Sequence, residues 1–280
     1  MRRIAAGLMV VMSVLLVSCN GKTGNTITVG SDKLDNTQSY FSESMHKAAR
    51  CDSGYYYLDK CSASADNLMF YDDKSEESIV LCNKPQCGHD GEECMAYISG
   101  SEFKSELYYY NSYIYMISSK GNLVQISADG TQRTDLGSIC VLSGQDSVSM
   151  CFNDGYAYVS QEITGDIEGN VTVRLYRFNL DTGSSDKIYE ETGYGIGINS
   201  LKTYGSDTFF LKTSVSKDDK GLYSLEGKGI FRITGENTEC LLDKNVYSYC
   251  IDADNNKLYY SGLGDGTIYE YDLGSGKSES

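Results

Sequence analysis

Beyond residue 40, large apolar residues alternate with polar ones at every second position, in short runs that end at Asp, Asn or Gly. Side chains of a strand point alternately to its two faces, so a period of two predicts strands with one face buried. No stretch of ten or more residues keeps a 3.6-residue period; Ser42 to Arg50 offers a turn or two of helix at most. One phrase recurs: an apolar strand, a turn with Asp, Asn or Gly, a Tyr-rich strand, a strand ending near Asp-x-x-(Ser/Gly), and a short final strand. The second strands read Tyr55–Leu58, Tyr113–Met116, Tyr156–Val159, Phe209–Leu211 and Leu258–Tyr260. The third strands begin at Leu68, Leu123, Leu175, Ile230 and Ile268, a spacing near the roughly 40 to 50 residues of a propeller blade. The expectation is an all-β chain: a β-propeller of four-stranded blades with five blade repeats visible. A β-sandwich would not need one four-strand phrase five times.

A propeller must close, because its last blade otherwise exposes an edge. The fifth phrase reaches Ser280 where its fourth strand is due, and Gly274 to Ser280 holds no hydrophobic residue to anchor one. Either Ile27-Thr28-Val29 supplies that strand or the chain is a truncated piece of a longer propeller. The second is the expectation.

The first residues form a separate unit. Arg2 and Arg3 make a basic start, Ile4 to Val14 an apolar stretch, and Leu16-Val17-Ser18-Cys19 the lipobox of a bacterial lipoprotein. Residues 1–18 are expected to be a signal peptide, cleaved before Cys19, whose thiol carries a diacylglycerol. The apolar stretch is shorter than the roughly 20 residues of a transmembrane helix. Two acyl chains, at about 0.8 kcal/mol per buried CH₂, anchor a protein where one would not. Residues 19–40, rich in Gly, Ser, Thr, Asn and Asp, read as the lipidated cysteine and a flexible tether. Residues 41–280 read as the propeller, placed on the extracellular face of the cell membrane.

Charge narrows the partners. The 280-residue chain carries a formal charge of −15, and loss of Arg2 and Arg3 makes the mature part more negative still. Such a surface is repelled by phosphate backbones, which argues against nucleic acid. The 24 tyrosines argue for a folded chain, and the absence of tryptophan weakens a carbohydrate reading without removing Tyr as a stacking platform.

The most concentrated chemistry lies at residues 82–97. Cys82, Cys87, His89 and Cys94 fall within a short loop stiffened by Pro85, the only proline in the chain. Three thiolates and an imidazole suit tetrahedral Zn²⁺. The spacing C-x4-C-x-H-x4-C is not that of a standard zinc finger, and one residue between Cys87 and His89 requires a tight turn, which Gly88 would permit. The alternative is a hairpin stapled by Cys82–Cys94 or Cys87–Cys94, since exported chains form disulfides in oxidising compartments. Three cysteines leave one unpaired in that account, and free thiols fit an anaerobic setting.

The lipobox, the tether, Gly54-Tyr55-Tyr56-Tyr57-Leu58, the loop Leu81-Cys82-Asn83-Lys84-Pro85-Gln86-Cys87-Gly88-His89 through Cys94-Met95-Ala96-Tyr97, and the Tyr-rich repeats occur in one order. Together they resemble a group of uncharacterised Gram-positive bacterial lipoproteins with a β-propeller domain of unknown function, similar to low-density-lipoprotein-receptor-like and TolB-like propellers. The resemblance spans about residues 1 to 275. It implies a cell-surface propeller, supplies no catalytic residues, and supports truncation because the group's members are longer.

The remaining cysteines fit the repeat. Cys51, Cys151 and Cys250 each close a first strand before its turn and read as equivalent, packed positions. Pairs 140–151 and 240–250 are conceivable, and Cys61 has no obvious partner. Asp252-x-Asp254-x-Asn256 begins like a calcium loop, but Lys257 and Leu263 stand where Gly and Glu belong, so a hairpin turn is expected. Gly193-Tyr194-Gly195-Ile196-Gly197 lacks the βαβ setting of a dinucleotide site and reads as a blade connection. Asn170-Val171-Thr172 matches a glycosylation sequon, which carries little weight in a bacterial lipoprotein. His46 and His89 are the two histidines, so nucleophilic catalysis has few bases to draw on; His46 reads as a surface residue. Tyr108, Tyr109 and Tyr110 are either ligand contacts or first-strand core. The function expected is a binding module for a protein, peptide or glycan. The alternative is a surface-attached hydrolase or lyase acting on polysaccharide or peptide.

Overall fold

A computed structural model describes residues 48–279, apart from 101, 105, 166–168, 205–206, 236, 253 and 263. The lipobox, Cys19, the tether, Ile27 to Val29 and His46 lie outside the described residues. Those described form strands and turns without a helix, and none of them builds a helix long and apolar enough to cross a membrane.

The strands form five antiparallel sheets, each with its strands side by side in chain order. The first holds β1 (Ala48–Cys51), β2 (Gly54–Ser62), β3 (Ala65–Asp72) and β4 (Glu77–Val80), with β5 (Tyr97–Ser99) also paired to β3. The second holds β6 (Tyr108–Tyr110), β7 (Tyr113–Ile117), β8 (Asn122–Ser127) and β9 (Arg133–Ser138). The third holds β10 (Ser147–Asn153), β11 (Tyr156–Thr164), β12 (Asn170–Asn179) and β13 (Ser185–Tyr194). The fourth holds β14 (Gly197–Tyr204), β15 (Asp207–Lys217), β16 (Tyr223–Thr234) and β17 (Asn237–Leu242). The fifth holds β18 (Val246–Asp252), β19 (Lys257–Gly262), β20 (Ile268–Asp272) and β21 (Lys277–Glu279).

Each sheet is one repeat of the phrase, and the first strands β1, β6, β10 and β14 lie each against the next. Burial falls from the middle of each sheet to its last strand: β7 is nearly all buried, while β17 and β21 are mostly or wholly exposed. Inner first strands and outer fourth strands are the arrangement of propeller blades, and the chain is an all-β propeller of four-stranded blades.

Local chemistry explains the turns. In the second sheet Asn111 and Ser112 join β6 to β7 with φ of 47° and 64°; in the third, Asp154 and Gly155 join β10 to β11 with φ of 47° and 75°. Two positive-φ residues are the signature of the type I′ hairpin, whose twist matches the flanking strands. The Asp ending a third strand caps the turn that follows: Asp72 accepts the Ser75 N–H at 3.0 Å, and Asp272 the Ser275 N–H at 2.6 Å.

Between blades the apolar faces interlock. Leu123, Tyr115, Phe152, Val159 and Phe178 share one cluster, and Cys151, Leu175, Ile198 and Phe210 share the next. Tyrosine hydroxyls add directed bonds across these seams. The Tyr56 hydroxyl donates to Ala128 O at 3.1 Å, and the Tyr249 hydroxyl to Ser200 O at 2.7 Å. The Tyr110 hydroxyl accepts the Gly155 N–H at 3.3 Å. Tyr108 and Tyr110 are therefore core, and Tyr109 stacks on Tyr56 with ring centres 5.6 Å apart.

Two expectations need correction. The fifth sheet has a fourth strand: Lys277–Glu279 pairs with Glu270–Asp272 through its backbone, with every side chain exposed. An outermost strand needs ladder bonds rather than an apolar anchor. Cys51, Cys151 and Cys250 are not equivalent. Cys51 faces Gly54 at the turn itself, whereas Cys151 and Cys250 sit opposite Tyr158 and Tyr259, one alternation further in. Cys151 is buried but Cys250 is exposed, because Tyr249 and Ile251 take the covered face of β18. The pairs 140–151 and 240–250, conceivable from the spacing, do not form: Cys140 and Cys151 belong to different clusters, and every described cysteine, Cys240 and Cys250 included, is a free thiol.

Candidate functional site

The cysteine loop interrupts the outer strand of the first sheet. β4 pairs with Met69 to Asp72 of β3, and β5 pairs with Ala65 to Asn67 of the same strand. Leu68 stands between them. Its N–H donates to Ala96 O and its carbonyl accepts the Leu81 N–H, both at 2.8 Å. One residue thus closes the base of the loop, while Leu81, Cys94 and Ala96 reach into the cluster around Leu68, Ile114 and Ile126.

Above that base the loop is a chain of turns. Cys87 N–H donates to Lys84 O at 3.3 Å, with Pro85 second in the turn and Gln86 third at φ 59°, the pattern of a type II turn. The positive-φ residues are Gln86 and His89 (φ 57°); Gly88, expected to supply the tight turn, is not among them. A second turn runs from Gly91 to Cys94 (N–H to O, 2.9 Å), and a third from Cys94 to Tyr97 at 3.2 Å. Lys84 Nζ pairs with Glu93 at 3.4 Å across the outside.

These turns bring all four expected residues together. One ligand atom from each of Cys82, Cys87, His89 and Cys94 lies within 4.8 Å of the others, and His89 Nδ1 is 3.3 Å from Cys94 Sγ. The cluster could bind a metal ion. Burial pushes the Cys94 thiol up to about 11. Burial opposes ionisation of Cys82 too, but there the Lys84 N–H, the neighbouring thiols and the Met95 N–H outweigh it, and its pKa falls below the ordinary thiol value. The thiols buried singly in the core behave differently: desolvation raises Cys140 to about 11 and Cys151 to about 12. They are packing groups.

A second site was not apparent from the sequence. Where β6, β10 and β14 converge, a cavity of about 270 Å³ opens between three successive blades. Among the residues lining it are Tyr108, Ser149, Ser160, Glu162, Asn199 and Glu106. Ser149 and Ser160 share a 2.7 Å hydroxyl bond. Glu162 Oε1 accepts the Ile198 N–H at 3.0 Å, and its other oxygen accepts from the Ser147 hydroxyl at 3.4 Å. Desolvation raises the Glu162 pKa, and the Ile198 and Ser147 bonds only partly offset it. Nothing in sequence distinguishes Glu162 among 39 acidic residues.

The remaining candidates are structural. Asp252 accepts from the main-chain and side-chain nitrogens of Asn255 at 3.2 and 2.8 Å, which makes that segment a turn. Gly193 to Gly197 spans the end of β13 and the start of β14 and connects two blades.

No protein-family model matches the chain. No curated protein matches it either. Among solved structures it is similar to a chain of a nidogen–laminin complex, at 11% identity over 82% of this chain and 75% of that one, with a TM-score of 0.42. It is also similar to the quinohemoprotein alcohol dehydrogenase of Comamonas testosteroni, at 12% identity, 83% and 42% coverage and a TM-score of 0.46. A third is BamB of Moraxella catarrhalis, at 11% identity, 79% and 56% coverage and a TM-score of 0.37. These likenesses are distant, and the propeller assignment rests on the sheet order and pairing above.

Proposed function

We propose that the chain is a lipoprotein of the Gram-positive group it resembles, anchored through Cys19 to the outer face of the cell membrane. Its propeller serves as a binding module for a protein, peptide or glycan. The observation that carries the binding role is the cavity at the inner ends of three blades. Ligand sites are typically concave, with a few convergent polar groups fixing orientation, and here Ser149, Ser160, Asn199 and Glu162 supply such groups beside Tyr108. The zinc-type ligand set of the cysteine loop is structural in this reading, since the loop borders the outer strand and not the cavity.

Binding is tested by probing the chain against immobilised glycans, cell-wall fragments and a peptide library, with Ser149→Phe filling the cavity. Ligand held by the wild type and released by the variant supports the reading; ligand held equally by both moves the site elsewhere. Anchoring is tested by Cys19→Ser, which should shift the protein from the membrane fraction to the medium. Continued membrane retention would count against it.

A hydrolase or lyase is the second reading, favoured by one feature. Glu106 and Glu162 line the same cavity, and the raised pKa of Glu162 suits a general acid. Glu162→Gln would abolish turnover of a polysaccharide that the wild type cleaves.

A further inference from the structure

We propose that Cys82, Cys87, His89 and Cys94 hold one Zn²⁺ ion in a closed tetrahedral site, which clamps the interrupted outer strand of the first blade. The ion is bound through three sulfurs and the Nδ1 nitrogen of His89. The proposal concerns how the blade is held together and stands whichever ligand the propeller takes.

Distance is the first argument. With Zn–S near 2.3 Å and Zn–N near 2.0 Å, a tetrahedral site sets its sulfurs about 3.8 Å apart and nitrogen about 3.5 Å from sulfur. The four ligand atoms here all lie within 4.8 Å of one another, and Nδ1 to Cys94 Sγ is 3.3 Å. A disulfide would use two of these groups and give no reason for the other two to converge.

Burial is the second. From Cys82 to Cys94 the residues that are not exposed are Cys82, Cys87, His89, Cys94 and one glycine, Gly91. The loop turns inward its four ligands and almost nothing else. It has no apolar interior of its own, yet it holds His89 and Gln86 in the left-handed region, a conformation costing about 1 to 2 kcal/mol per residue. Metal coordination would tie its centre together, where the turns and the Leu68 base hold only its edges.

Ligand chemistry then selects the ion. Three thiolates and an imidazole favour Zn²⁺, while Ca²⁺ and Mg²⁺ demand oxygen. Asp90, Glu92 and Glu93 stand in the same loop but outside the cluster. With four protein ligands the ion keeps no open position, which makes it structural rather than catalytic.

The test is elemental analysis of the anaerobically purified chain, followed by cobalt exchange. One zinc per chain is expected. Cobalt should give the intense visible bands of a tetrahedral ion and sulfur-to-metal charge transfer, unchanged by added azide. His89→Ala should weaken metal binding by more than the roughly 10- to 100-fold that loss of an outer partner costs. A chain without metal, bearing a disulfide among Cys82, Cys87 and Cys94, would overturn the proposal. Zinc retained undiminished in a Cys82→Ser, Cys94→Ser double variant would do the same. A cobalt spectrum altered by azide would refute the closed geometry. The wild-type spectrum needs no variant, so a misfolded mutant leaves the question answerable.

Discussion

The hydroxyl of Tyr108 accepts the main-chain N–H of Met150 at 3.1 Å, a fully buried bond across the seam between the second and third blades. Tyr108 is 1% exposed, and its ring lies edge-on to Phe152 with centres 6.3 Å apart. One side chain thus fills apolar volume and satisfies a donor of the neighbouring blade. A tyrosine can do both where phenylalanine can do only the first.

Tyr108→Phe therefore keeps the packing and orphans a buried N–H. The expected loss is about 1 to 3 kcal/mol, read as a lower urea midpoint with an unchanged m-value. A variant as stable as wild type would show that the seam rests on apolar contact alone.

Removal of the proposed zinc should act locally. Leu68 closes the base of the loop, so chelation is expected to speed amide exchange across residues 77–99 at least tenfold, about 1.4 kcal/mol of local stability. Strands β10 to β13 should stay protected. Uniform acceleration through all five blades would instead make the ion a determinant of the whole fold.

Glu162 gives the cavity a pH signature. Desolvation raises its folded pKa above the unfolded value, so in the window between the two the native state binds more protons. Stability contributed by the protonated group is present below the ordinary carboxylate pKa and is lost as pH rises through the raised value. Glu162→Gln, which can still accept the Ile198 N–H, should be more stable than wild type at neutral pH, with the gap closing under acid. Thermal melts at several pH values check the sign, and a gap that widens in acid would contradict it.

Arg232 is the most enclosed cation of the fourth blade. Its side chain is 10% exposed, 3.7 Å from Asp207 and 2.6 Å from Glu239. Asp207, 11% exposed, also accepts from the Thr234 hydroxyl at 2.7 Å. Asp207→Ala leaves a largely buried guanidinium with one carboxylate, at a cost of about 3 kcal/mol. The double variant with Arg232→Met should recover much of that loss in the same denaturation experiment. Additive losses would show that the two side chains do not interact.

Much of this architecture is legible in the residues. Tyr113–Met116 and Leu123–Ile126 are short apolar runs bounded by turn residues and form β7 and β8, although β7 is covered on both faces and not on one. The same phrase marks all five blades. Cys82, Cys87, His89 and Cys94 are near enough in sequence that turns alone can bring them together, and they meet. What the residues did not show is the partner of each face. Cys151 and Cys250 occupy matching positions opposite tyrosines, yet one is covered and the other is not. Likewise Glu162 acquires its role only because Ile198, from another blade, reaches it.

The amino-acid sequence by itself determined strand type, blade repeat and the donor set of the cysteine loop. These depend on short-range geometry: the alternation of side chains along a strand and the reach of a few turns. The tertiary structure decided how β4 and β5 share one strand through Leu68, which tyrosine hydroxyls meet a neighbouring blade, and where a cavity opens between β6, β10 and β14. Those relations join residues tens of positions apart. Alternation along a strand marks its faces, but which residues of a neighbouring sheet meet them is decided only when the sheets pack.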